Sequence, residues 1–183
     1  MKTRKIAFLD RDGVINEDYG YVHKWENFKF CDGSIQGIHN LIDLDFGIII
    51  ITNQSGIDRG IFSKFQYLEL TNIMLDFFKK NDIQIIDIYH CPHHPEYSAL
   101  PFKNCDCRKP KPGLFKRAIN KYKVNIKESI SVGDNERDLV ASKLAGINKR
   151  YLISKDIIYK KNDIFDASFK SLLDCSEFLK KNN

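Results

Sequence analysis

Two aspartates, Asp10 and Asp12, stand two residues apart at the end of a short apolar run, Ile6-Ala7-Phe8-Leu9. On an extended strand end, residues i and i+2 point to the same side. Carboxylates held that close repel, so the pair calls for a cation between them. Magnesium fits: it is a hard ion, prefers oxygen, and is usually held by one or two carboxylates together with a substrate phosphate. Neutralised in this way, one carboxylate can attack phosphorus while the other manages the proton, a route through an aspartyl-phosphate. Taken alone the D-x-D-G pattern is weak, because an acidic turn after a strand reads the same.

Three further segments carry matching chemistry. Thr52-Asn53-Gln54-Ser55-Gly56 follows the run Ile48-Ile49-Ile50-Ile51. A hydroxyl and backbone N–H groups at such a turn form an anion-binding nest. Arg108-Lys109-Pro110-Lys111-Pro112-Gly113 places cations between prolines, which stiffen the backbone. A lysine fixed there can stabilise phosphate charge in a transition state, although spacing alone does not say which lysine points inward. Val132-Gly133-Asp134-Asn135-Glu136-Arg137-Asp138 puts Asp134 where a strand becomes a helix. Asp134 can serve there as a further magnesium ligand or as a helix N-cap. Asp138, four residues on, is expected to support the site rather than to touch metal.

A second metal chemistry appears in the segment 90–112. Cys91-Pro92-His93 is followed by Cys105-Asp106-Cys107, and His94 competes with His93 as the fourth donor. Such an array suits a closed, tetrahedral structural zinc. The loop is poor in apolar residues, so metal would supply the energy that burial does not. Cys31 and Cys175 lie far along the chain from it. Five cysteines in all, with no signal-peptide pattern, argue against a disulfide framework.

The elements that must position these groups alternate. Strands are expected at 5–10, 48–51, 83–89, 129–132 and 150–153. Helices are expected at 33–46 with Gly47 as its C-cap, after Ser63 and Gln66 (a capping box), at 113–122, at 135–145 capped by Gly146, and at 168–179. The α/β alternation implies a Rossmann-like three-layer sandwich with a mostly parallel central sheet, a single domain over 1–183. Ligands bind beyond the carboxyl ends of such strands, which is where the three polar segments after apolar strands fall.

Composition agrees with a globular chain: 183 residues, 43% hydrophobic and 29% charged. No apolar run is long enough for a bilayer, and Met1 to Lys5 leads into no hydrophobic signal region, so a cytoplasmic protein is expected. The net charge of +5 comes from scattered lysines, with Lys160-Lys161 and Lys180-Lys181 only pairs. That is no nucleic-acid stripe, and neither a nucleic-acid nor a membrane partner is expected.

In their order, Asp10-x-Asp12, Thr52, Lys109 and Gly133-Asp134 make the chain resemble the haloacid dehalogenase superfamily of phosphatases over about residues 5 to 153. The resemblance implies Asp10 as nucleophile and Asp12 as general acid/base, with Thr52 and Lys109 holding the transferring phosphoryl group. It implies magnesium on Asp10, on the backbone carbonyl of Asp12 and on Asp134. The stretches Asp18-Tyr19-Gly20-Tyr21-Val22-His23, Thr52-Asn53-Gln54-Ser55-Gly56, Cys91-Pro92-His93-His94-Pro95 and Cys105-Asp106-Cys107-Arg108-Lys109-Pro110 narrow it. They resemble the D-glycero-D-manno-heptose 1,7-bisphosphate phosphatases and the related histidinol-phosphate phosphatases. That pattern implies zinc on Cys91, His93, Cys105 and Cys107. It also implies a sugar bisphosphate substrate lined by Asp18, Tyr19, Gly20, Tyr21, Thr52, Asn53, Gln54, Ser55, Arg108, Lys109 and Asn135. No insertion is large enough for a cap domain, and a monomer is expected. Asn135 stands where the heptose enzymes often carry lysine, which leaves open the grip on the second phosphate. The alternatives are a histidinol-phosphate phosphatase, a nucleic-acid end phosphatase, and a zinc-stabilised binding module without catalysis.

Overall fold

The computed structural model describes residues 4–155 and 161–182. Met1, Lys2 and Thr3 of the basic start, and Lys160 of one lysine pair, lie outside them. Six strands form one parallel sheet: β1 (Ile6–Leu9), β2 (Gly47–Asn53), β3 (Ile85–Cys91), β4 (Ile130–Gly133), β5 (Lys149–Ile153) and β6 (Ala167–Phe169). Their order in space is β3-β2-β1-β4-β5-β6, and every pair is parallel.

The sheet is covered on both faces because its central strands are apolar on both faces. Alternate residues of a strand point oppositely. Ala7 and Leu9 of β1, with Ile48 and Ile50 of β2, enter one core with Ile38 and Leu41 of α1 (Ser34–Asp43), Leu70, Met74 and Phe78 of α2 (Lys64–Lys80), and Leu172 and Cys175 of α5 (Leu172–Lys181). Ile6 and Phe8, with Ile49 and Ile51, enter the other with Leu114, Phe115 and Ala118 of α3 (Gly113–Tyr122) and Ala141 of α4 (Glu136–Leu144). The result is the Rossmann-like sandwich that the alternation implied, with no large cap domain inserted among the described residues.

Local signals set the helix ends. The Ser63 side chain accepts from the Gln66 N–H at 3.1 Å and Gln66 Oε1 accepts from the Ser63 N–H at 2.8 Å, the reciprocal capping box expected. Gly146 follows α4 in a left-handed conformation, as expected of a residue past a helix end. Gly47 does not cap α1. Leu44 ends that helix, Asp45 takes the left-handed turn, and Gly47 is already the first residue of β2. Its missing side chain serves packing instead, since a Cβ there would lie 2.3 Å from Ile86 Cδ1 and 2.9 Å from Ile6 Cδ1.

Two other expectations shift. β3 begins at Ile85 and runs on to Cys91, while Ile83 is buried in the first core, before the strand. The span 168–179 is divided: Ala167–Phe169 pairs with β5 as β6, and Ser171 then caps α5 by accepting from the Asp174 N–H at 3.1 Å. No helix of the described residues is long and apolar enough to cross a membrane.

Candidate active site

β2, β1 and β4 are neighbours at the middle of the sheet, so the residues at their carboxyl ends, Thr52 within β2, Asp10 just after β1 and Asp134 just after β4, come out side by side. Asp10 is only 8% exposed, and its N–H continues the ladder to Val132 O at 3.0 Å. Gly13 lets the chain turn beneath Asp134. Its φ is +84°, and a Cβ there would lie 2.1 Å from Asp134 Oδ2.

Lys109 is the inward lysine. Its Nζ lies 2.9 Å from Asp10 Oδ1 and 2.8 Å from Asp138 Oδ1, and donates to Ile51 O at 2.8 Å. Asn53 fixes its backbone: Nδ2 donates to Lys109 O and Oδ1 accepts from the Lys109 N–H, each at 3.1 Å. Lys111 turns away, donating to Asn104 O and Cys105 O. Burial would lower the Lys109 ammonium, but Asp10 and Asp138 outweigh it and hold the group charged. Asp138 also accepts from the Asn135 N–H at 3.1 Å, yet its carboxylate stands in the same group as those of Asp10 and Asp134, where only support was expected of it.

Asp10, Asp134 and Asp138 present carboxylate oxygens within 4.8 Å of one another. Burial, and the fields of Asp138 and Asp134, push Asp10 well up despite Lys109. Burial and Asp138 push Asp134 up to about 7. Three carboxylates against one ammonium leave two negative charges in a desolvated place, which a divalent cation with a preference for oxygen offsets. The donor set therefore fits magnesium. The Asp12 carboxylate is not in this group. Arg11 Nη2 at 2.8 Å, Asn16 Nδ2 at 3.0 Å and Gln54 Nε2 at 2.8 Å donate to it.

These groups open into a pocket of about 370 Å³ lined by, among others, Asp10, Asp12, Asp18, Thr52, Gln54 and Arg108. Gly20, Tyr21, Asn53 and Ser55 line it too. Gln54 donates to Thr52 Oγ1 at 2.9 Å, so that oxygen is engaged as an acceptor. Three residues expected in the lining are placed otherwise. Lys109 lies beneath the floor. Tyr19, 64% exposed, faces an adjoining hollow with His23 and Glu26. Asn135 caps α4, its Oδ1 accepting from the Arg137 N–H at 3.2 Å, a competing role for any side chain at a strand-to-helix junction. Conversely, Arg59, Phe62 and Arg137 line the pocket and were not anticipated. Arg137 lies within the segment Val132 to Asp138 but had been given no role there, and no short motif marks Arg59 or Phe62. The three sit on a turn and on the first turn of a helix, and only topology brings them in.

The cysteine loop closes on itself beside the pocket. Cys91, His93, Cys105 and Cys107 gather, while His94 is taken by Arg59. Cys91 Sγ lies 3.7 Å from both Cys105 Sγ and His93 Nδ1, close to the tetrahedron edge of about 3.8 Å that zinc–sulfur bonds give. Cys107 approaches more closely, 2.9 Å from Cys91 Sγ and 3.2 Å from His93 Nδ1. The four donors thus fit a structural metal in kind and place. Burial opposes it, but hydrogen bonds from Cys107, His93 and the Arg108 backbone bring the Cys105 thiol down to about 7, toward the thiolate that binds metal.

An aspartate at the central strand end, paired with a buried lysine and flanked by two more carboxylates on a Rossmann-like sheet, defines a phosphatase of the haloacid dehalogenase type. Residues 5–165 match the family model described as polynucleotide kinase 3 phosphatase. The chain is 46% identical over 151 residues to D-glycero-alpha-D-manno-heptose-1,7-bisphosphate 7-phosphatase of Photorhabdus laumondii, covering 81% of this chain and 82% of that one. It is 41% identical over 179 residues to the beta-anomer enzyme of Haemophilus influenzae, covering 97% of each. A D,D-heptose 1,7-bisphosphate phosphatase from B. bronchiseptica, solved with magnesium and phosphate, superposes with a TM-score of 0.84 at 28% identity, over 98% of this chain and 99% of that one. The chain belongs to this family of haloacid dehalogenase-like phosphatases, alongside the heptose bisphosphate 7-phosphatases.

Proposed function

We propose that the protein removes the C7 phosphate of D-glycero-D-manno-heptose 1,7-bisphosphate, yielding heptose 1-phosphate for nucleotide-heptose and cell-surface polysaccharide synthesis. The observation that carries this is the buried Asp10, tied to Lys109 at the floor of a pocket, in a chain so similar to the heptose enzymes. An Asp10 oxygen attacks phosphorus in line, forming an aspartyl-phosphate and breaking the bond from phosphorus to the sugar oxygen. Asp12 gives that oxygen its proton. Asp12 then takes a proton from water as the water attacks the aspartyl-phosphate, releasing inorganic phosphate and restoring Asp10. Arg11, Asn16 and Gln54 hold the Asp12 carboxylate in place for both transfers.

Thr52 donates to the transferring phosphoryl group, and Lys109 acts from beneath by orienting Asp10 and offsetting its charge. Asp18, Gly20, Tyr21, Asn53, Gln54 and Ser55 shape the sugar site, and Arg108 meets the distal phosphate with a fork that lysine lacks. Magnesium would be held by Asp10, the Asp12 carbonyl and Asp134, and supplies there the neutralisation that lets a carboxylate approach a phosphate. Zinc would be held by Cys91, His93, Cys105 and Cys107 and shapes the loop that leads into Arg108. The protein works as a cytoplasmic monomer.

The test is a panel comparing heptose 1,7-bisphosphate, histidinol phosphate and a DNA 3′-phosphate end. The heptose substrate should turn over fastest, and Asp10→Asn should abolish turnover while melting like the parent. Faster turnover of histidinol phosphate or of the DNA end would overturn the substrate assignment, and undiminished hydrolysis by the variant would remove Asp10 from its role.

A further inference from the structure

Arg59 is held unusually well for a turn residue at a pocket rim. Its Nη2 lies 2.7 Å from His94 Nε2, and its guanidinium sits 4.9 Å from the centre of the Tyr97 ring and 5.8 Å from that of Tyr21. Two of those three neighbours belong to the cysteine loop. The preceding residue reinforces the link, because Asp58 accepts from Ser98 of the same loop. Arg59 Nε is buried and has no hydrogen-bond partner among the described residues. Buried donors are rarely left so, and the missing partner marks a place where an acceptor belongs.

Arg59 is not alone. Arg108 and Arg137 line the same pocket. Arg108 Nη1 donates to His93 O at 3.2 Å, so it too is mounted on the cysteine loop. Three guanidiniums thus share one cavity of about 370 Å³, where like charges repel. Asp10 and Asp12, which line the same cavity, are already paired with Lys109 and Arg11, so neither carboxylate is free to offset that repulsion. An anionic group of a substrate seated among the three guanidiniums would offset their repulsion.

We propose that Arg59 and Arg137 join Arg108 in an arginine wall that selects substrates carrying a second anionic group, and that Tyr97 is the positioning residue that holds Arg59 in it. The inference rests on the phosphatase assignment above and adds to it two residues of the specificity apparatus and a task for the cysteine loop, that of carrying the wall. It also gives this chain a cation on α4 where Asn135 brings none.

The measurement is kcat/KM for a sugar bisphosphate, divided by that for p-nitrophenyl phosphate, which bears one phosphate. A hydrogen-bonded charge pair of this kind changes affinity by about tenfold or more, so Arg59→Ala should lower the ratio about tenfold, mostly through the KM of the bisphosphate. Arg137→Ala, at an exposed position of α4, tests the wall without disturbing the loop and should lower it about threefold to tenfold. Tyr97→Ala should raise the same KM and leave kcat for that substrate nearly as it was. A ratio unchanged in both arginine variants, or equal losses on both substrates, overturns the proposal. Fructose 1,6-bisphosphate is run beside the heptose substrate. If the parent enzyme ignores heptose but the arginine variants still lose their preference for the fructose bisphosphate, the wall stands and only the heptose assignment falls.

Discussion

Replacing Lys109 by methionine keeps the aliphatic stem and deletes the cation from the middle of the site. In the folded protein its side chain is 1% exposed and paired at 2.9 and 2.8 Å with carboxylates that are themselves 8% and 2% exposed. Deleting one partner of a buried pair costs about 3–5 kcal/mol, because the opposite charge remains desolvated. The stranded carboxylates can take up protons, which limits the loss, so the lower end of that range, about 3 kcal/mol, is expected. For a chain of this size, about 2–4 °C per kcal/mol translates that into a melting temperature lower by about 6–12 °C. The pH dependence has a fixed sign. Burial already pushes Asp10 up, and without Lys109 it rises further. An acid whose folded value lies above its unfolded one binds more protons when folded, so its penalty is largest at high pH and is relieved as pH falls through the folded value. Calorimetric melts of parent and variant without added magnesium, at pH 7.5, 6.5 and 5.5, should therefore show a deficit that shrinks toward acid. A variant as stable as the parent at pH 7.5, or a deficit that grows on acidification, would refute the reasoning.

Other expectations follow from the same geometry. Gly13→Ala places a methyl group where Asp134 Oδ2 now lies and forces a positive φ on alanine, so magnesium titrations of activity should show a weakened half-point together with a strain cost of about 1–2 kcal/mol in stability. Cys107→Ser should release about one equivalent of zinc per chain, read by elemental analysis, and make the loop more sensitive to protease; full retention of zinc would exclude Cys107 as a ligand. Asp87 is held below its ordinary value: burial alone would raise it, but hydrogen bonds from Lys121, Tyr122, the Ile88 N–H and Tyr89 prevail. Its contribution is present above the ordinary carboxylate value of 3.8 and is lost as pH falls through the lower folded one, so the melting-temperature gap between Asp87→Asn and the parent should be open at pH 7 and narrow progressively below pH 3.8.

What could be read from the residues in order was whatever has a local cause. Four consecutive isoleucines admit little but a doubly buried strand, and Ser63 with Gln66 announces its own helix start. The donors at Cys91, Cys105 and Cys107 were visible because metal ligation demands particular atoms. β6 was not visible, because Ala167-Ser168-Phe169 has no apolar run and is a strand only because β5 lies beside it. Asp45 was missed as the turn residue because Gly47, two positions later, carries the stronger turn signal. The pocket arginines are an intermediate case: Arg137 lies inside, and Arg59 three residues beyond, polar segments that follow apolar strands, but nothing in either segment says that these side chains turn into the cavity. Asn135 shows the reverse case, a residue placed by family resemblance in a pocket that the local demand for a helix cap had already claimed.

The position of β1 at the centre of the sheet has a consequence for how the molecule comes into being. Its four residues need β4 on one side, and the Ile6 N–H is satisfied by Ser129 Oγ, 123 residues later in the chain. At ribosomal speeds of about 5–20 residues per second, the nascent segment waits about 6–25 s before that neighbour is made. During this interval its apolar backbone is an unfinished edge, open to holdase chaperones or to a second nascent copy. Asp10, the proposed nucleophile, stands at the tip of that same strand, so on that proposal catalytic competence is among the last properties the growing polypeptide can acquire.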